Sequence, residues 1–60
     1  MKIEIYVNNE LYASRKMNLI PREGDLIQLG LDLYKIEMVV WCDPDNGEQI
    51  NLFTMAYKAI

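Results

Sequence analysis

Turn-forming residues punctuate this sequence at short intervals, and the runs between them are rich in β-formers. Asn8-Asn9, Pro21-Arg22-Glu23-Gly24-Asp25, Gly30-Leu31-Asp32 and Asp43-Pro44-Asp45-Asn46-Gly47 carry the breaks. Each of these residue types favours a turn for its own reason: Gly and Asn tolerate positive φ, Pro fixes φ, and Asp bonds nearby amides. Closely spaced turns between apolar runs predict a meander, a sandwich or a small barrel.

The first run alternates cleanly. Ile3, Ile5 and Val7 fall on one face of a strand over residues 2–7, with Lys2, Glu4 and Tyr6 on the other. A three-residue loop, Asn8-Asn9-Glu10, would set Val7 opposite Leu11, Ile5 opposite Ala13 and Ile3 opposite Arg15. A two-residue loop would put Glu10 opposite Val7 on the apolar face, so the longer loop is expected. A second strand then runs from Leu11 to about Leu19 and stops before Pro21, which cannot donate to a ladder. Leu26–Leu29 reads as a short third strand and Leu33–Trp41 as the longest one.

In that fourth run, Tyr34, Ile36, Met38 and Val40 share one parity, while Val39 and Trp41 take the other. Both faces become apolar towards its end. Such a strand is either covered on both sides or contains a bulge that shifts the alternation. The last run, Gln49–Tyr57, is expected to pair back on it as a fifth strand. Its rival is a C-terminal helix, because Ile50, Phe53, Tyr57 and Ile60 also recur at helical spacing. The expected fold is therefore all-β: five antiparallel strands in a strongly curved sheet or small barrel. The alternative is four strands plus a C-terminal helix. The expected core is Ile3, Ile5, Val7, Leu11, Ala13, Ile27, Leu29 and Ile36.

Sixty residues make one domain, 1–60, and a chain this short buries too little surface for a secure core. Small folds compensate with disulfides, a metal or association. The chain has one cysteine, Cys42, and no histidine. An internal disulfide is thus excluded, and a zinc site would have to be built on one thiolate and carboxylates, a poor donor set for zinc. No metal and no cofactor are expected, and self-association is the expected remedy. Hydrophobic residues form 52% of the chain, enough for a packed core. No stretch approaches the length of a membrane span or a signal-peptide core. With a lone cysteine, this predicts a reducing, cytoplasmic setting.

Candidate chemistry is thin. Cys42 and Ser14 lack a histidine base, and no enzymatic role is expected of them; Cys42 reads as an inert thiol at a strand end. Asp43, Asp45, Asn46 and Glu48 resemble a calcium loop only in composition, since the distant bidentate Glu is missing. Glu23 and Asp25 are the nearest acid pair, and an Asp after Gly in such a turn caps backbone amides. Two surfaces are better candidates. Met38, Val39, Trp41, Phe53 and Met55 would form the contact between copies. Lys2, Tyr6, Tyr12, Lys16 and Arg22 interleave cations with rings, as platforms for single-stranded nucleic acid do, although the net charge of −3 disfavours that use.

Pro21, Gly24, Asp25, Ile27 and Leu29, followed by Tyr34, Ile36, Val39 and Trp41, resemble a pattern in small SH3-like barrel proteins encoded by phages and other mobile elements. The resemblance covers roughly residues 1–55. It implies a protein of a bacterial host's cytoplasm that binds host or viral proteins. Blocking of defence systems, as anti-CRISPR proteins do, is one such role. The reading is a non-enzymatic interaction protein, with a host nuclease or other defence factor as the partner class. A DNA-acting module, similar to the PC4-like folds of four strands and a C-terminal helix among such proteins, and a structural subunit of a larger assembly are the alternatives.

The acidic balance sets the first prediction. Binding to duplex DNA at physiological salt should be weaker than ~10⁻⁶ M, the tight end of ordinary non-specific affinity. A gel shift at low micromolar protein, lost in Lys16→Glu with Arg22→Glu, would put the DNA-acting alternative first.

Overall fold

A computed structural model describes residues 2–42 and 48–57. The described residues form five strands and no helix: β1 Lys2–Val7, β2 Glu10–Lys16, β3 Leu26–Leu29, β4 Asp32–Trp41 and β5 Gln49–Ala56. They make one mixed sheet in the order β2-β1-β5-β4-β3. The sheet curls strongly into a half-barrel that fits a small SH3-like barrel. The helical rival for the last segment fails, because burial in β5 alternates residue by residue: Ile50, Leu52 and Thr54 are buried and their neighbours are not. The Asp43–Gly47 turn expected before it lies outside the described residues.

One neighbour relation departs from the expected all-antiparallel sheet. β1 pairs with β5 in parallel, with Ile3 beside Ile50 and Ile5 beside Leu52. A simple meander would leave β1 and β5 at the edges, where their apolar faces would be half covered. Placing them centrally buries both. The edges fall instead to β2, whose residues are exposed apart from half-buried Ala13, and to the four-residue β3. The core is accordingly small: Ile3, Ile5, Ile36, Ile50 and Leu52, with Met17, Ile20, Ile27, Leu29 and Val39 packed around them. Thr54 is the buried polar side chain, and its hydroxyl donates to the Tyr6 carbonyl at 2.8 Å.

Two bulges reconcile the sequence pattern with this core. In β4 the register slips between Ile36 and Met38, so Ile36 and Val39 both face inward although their parities differ. Of the two alternatives that the pattern left open, this is the bulge, and exposed Glu37 is its extra residue. The other lies in the first hairpin and was not expected. The loop is the two-residue Asn8-Asn9, with φ of 52° and 67°, and Val7 does face Glu10. The register then shifts so that Tyr6 pairs with Leu11 and Ile5 with Ala13, leaving Tyr12 as the extra residue. The two-residue loop thus keeps Glu10 opposite Val7 and sets Leu11 opposite Tyr6, and the bulge beyond them restores Ile5 opposite Ala13. As a result Leu11, expected in the core, is 55% exposed and follows Tyr6 onto the outer face. Val7 and Ala13 are only half-buried. β2 also ends at Lys16 rather than near Leu19, because residues 17–25 leave the edge to carry the chain across to β3.

That crossing ends in a tight turn. The Asp25 amide donates to the Arg22 carbonyl at 3.0 Å, and the Arg22 amide to the Asp25 carboxylate at 2.8 Å. Gly24, at φ 92°, takes the position where a type II turn requires positive φ. Its amide donates to Ile36 across the sheet at 2.7 Å. Asp25 is thus a capping residue, as its place after Gly24 predicts.

Two predictions test this architecture. Asn9→Gly should leave stability equal or higher, since Gly suits the second position of such a turn. Asn9→Val should cost about 1–2 kcal/mol, the penalty of a β-carbon in the left-handed region; urea midpoints will separate the two. The other concerns Tyr34, which is buried and lies against Tyr12 with ring centroids 6.0 Å apart. Burial pushes its hydroxyl above the ordinary 10.0, and Asp32 and Tyr12 add to the effect. The folded chain therefore holds this proton more tightly than the unfolded chain. Its contribution is complete below pH 10 and is lost as pH rises past it. Tyr34→Phe should flatten the fall in stability between pH 9 and about 11 relative to wild type.

Candidate protein-interaction surfaces

Strand pairing aligns the outer side chains into rows. Leu11 of β2 pairs with Tyr6 of β1, Tyr6 with Phe53 of β5, and Phe53 with Met38 of β4. An apolar row thus crosses four strands. At its centre the rings of Tyr6 and Phe53 stack, with centroids 4.9 Å apart and planes 18° from parallel. At its flanks Leu11 and Met38 stand about half exposed, as does Met55 one row further along β5. The offset stack holds the centre rigid, while the flexible methionines can adapt to whatever covers them.

The expected contact residues divide between two faces. Met38, Phe53 and Met55 come together on the outer face. The bulge at Glu37 turns Val39 and Trp41 to the inner side, where they pair with Leu52 and Ile50. Val39 packs against the core. Trp41 lies beyond the core at the end of the half-barrel, 64% exposed, in a cleft it shares with Ile20, Pro21 and Arg22.

The cation-and-ring set is divided as well. Lys2 and Lys16 face each other across β1 and β2 on the side that also carries Tyr6. Between them and the aromatic stack runs a row containing Glu4. The Gln49 amide donates to the Glu4 carboxylate and, at 3.0 Å, to Asn51, fixing a negative charge between the lysines and the rings. Tyr12, at the bulge, stacks towards Tyr34 rather than joining Tyr6. Arg22 lies in the turn before β3, on the Trp41 cleft.

Cys42 is half-buried, with its amide donating to the Gln49 carbonyl at 2.9 Å. Among the described residues, no group of three acids, cysteines or histidines is placed to hold a metal ion, and no helix is long and apolar enough to cross a membrane. The outer apolar row escaped the sequence reading because it depends on two registers. The two-residue loop brings Leu11 beside Tyr6, and the parallel pairing brings Phe53 there. The stack of Tyr6 on Phe53, 47 residues apart, has no local signal. Comparison with protein-family models, with curated proteins and with solved structures finds no match to this chain.

Proposed function

We propose that this chain is a non-enzymatic interaction protein whose working surface is the outer face of the half-barrel. The observation that carries the reading is the exposed apolar row Leu11–Tyr6–Phe53–Met38, continued by Met55. Soluble monomers rarely leave a contiguous apolar patch of this kind uncovered. A core of five buried aliphatic side chains would also gain from a second layer laid on that face. The first occupant is a second copy, since a two-fold contact presents the same row to itself and is the commonest oligomeric arrangement.

The resemblance to phage and mobile-element barrels supports a host or viral protein as the further partner, with inhibition of a nuclease or other defence factor as the outcome. The lysine pair supports the nucleic-acid alternative less well. Glu4 lies between the cations and the rings, where it would repel a phosphate backbone.

Light scattering over a dilution series checks the reading. Wild type should behave as a dimer or larger at high concentration. Met38→Glu alters an exposed side chain and should dissociate the assembly by about ten-fold or more in Kd. Trp41→Ala, on the inner side, should leave association unchanged. A monodisperse monomer at every concentration would remove the reading. An assembly broken by Trp41→Ala and not by Met38→Glu would move the contact to the other face.

A further inference from the structure

The free edges of the sheet, β2 and β3, curl towards each other across the inner face without pairing. Between them lies a cleft of about 270 Å³. Its lining is aliphatic where it meets the core, from Ile5, Leu52, Ile27 and Leu29, and cationic along β2, from Arg15 and Lys16, with Met17 and Pro21 of the connecting segment also bordering it.

The edge of β2 is open. Among the described residues, no backbone hydrogen bond outside the strand ladders uses a residue of β2 or β3. The groups that β2 turns away from β1 are therefore available to another strand. The cations are available too. Among the described residues, Arg15 donates only to the neighbouring Ser14 carbonyl, at 2.9 Å. Lys16 beside it is exposed and faces Lys2 rather than a carboxylate.

We propose that this cleft is the docking site for an extended segment of a partner protein, added to β2 as a further strand. Aliphatic side chains of the segment would rest on Ile5 and Leu52 beside Arg15, which shares the inner side with Ile3, and its carboxylates, on the opposite face, would meet Lys16. Successive side chains of a strand point to opposite faces. A segment that alternates aliphatic and acidic residues therefore satisfies the apolar floor and the cationic rim together. Main-chain pairing supplies affinity and the alternating side chains supply selectivity. A phosphodiester chain has no amides to pair with the edge of β2, so the occupant is a peptide. The site is distinct from the outer apolar row and does not rest on it.

The test uses a fluorescein-labelled hexapeptide alternating aspartate and isoleucine, followed by anisotropy and by amide shifts in ¹⁵N–¹H spectra of the full chain. Binding is expected, with shifts over Glu10–Lys16 and Leu26–Leu29. A lysine-for-aspartate version and a version with N-methylated amides should each bind about ten-fold more weakly or worse. Arg15→Glu with Lys16→Glu should weaken the acidic peptide equally. Both positions are exposed, and the spectra report whether the fold is kept. The N-methylated peptide tests edge pairing without altering the protein. No binding at millimolar peptide, or equal binding of the lysine version, would overturn the proposal. Shifts confined to Tyr6, Met38 and Phe53 would overturn it while leaving the outer-face reading in place. A dimer whose contacts map to β2 and β3 would also overturn it, by making the second copy the occupant.

Discussion

The parallel pairing of β1 with β5 is the contact from which the rest of this structure follows. It sets Ile3 against Ile50 and Ile5 against Leu52, so four of the five side chains of the core cluster come from one strand pair. Ile36 of β4 completes the cluster from the other side of β5. In a chain that can bury so little, pairing the two most regularly alternating strands at the centre of the sheet covers the most apolar surface. The mostly exposed β2 and the four-residue β3 then take the edges. The same order brings Tyr6 beside Phe53 and so creates the outer apolar row.

Bulges let each hairpin serve that core without a change of sequence length. Asn8-Asn9 favours the tight two-residue turn that matches strand twist, and taken alone this would drive Glu10 and Tyr12 onto the inner parity. The extra residue at Tyr12 restores Ile5 opposite Ala13. In β4 the extra residue at Glu37 brings Val39 inward behind Ile36. Each bulge also has a consequence at the surface. The first leaves Tyr12 unpaired and lying against Tyr34, and the second separates Met38 from Trp41. The two faces of the sheet thereby acquire different characters: an aromatic and methionine row outside, and a cationic, aliphatic cleft between the edges inside.

These two surfaces suit different kinds of occupant. The outer row is broad, rigid at its stacked centre and without a strand edge, which favours a flat partner such as a second copy. The cleft is narrow and bordered by unpaired backbone, which favours a single extended segment. A protein with both could hold itself together on one face and engage a partner at the seam. That division of labour is consistent with a small chain whose stability and binding draw on the same few strands.

Much of the local structure was legible in the residues. The alternation in residues 2–7 placed Ile3 and Ile5 inside. Gly24 followed by Asp25 marked the turn that Asp25 caps, and the parity change from Ile36 to Val39 marked the β4 bulge. These signals are short-range: a turn type, a side-chain period or a break in it is written within a few neighbouring positions. Strand order was not written that way. Whether β5 lies beside β4 alone or also beside β1 depends on which arrangement buries more apolar surface over the whole chain. No local pattern reports that comparison. The hairpin bulge was hidden for the same reason, because only the need to keep Ile5 opposite Ala13 decides that Tyr12 is the residue left over. The sequence by itself therefore determined the strands, most of their turns and the inner face of β1. Tertiary packing decided the parallel central pair, the side on which Trp41 and Leu11 lie, and the open seam between β2 and β3, since each is settled by competition for a core too small to cover every apolar side chain.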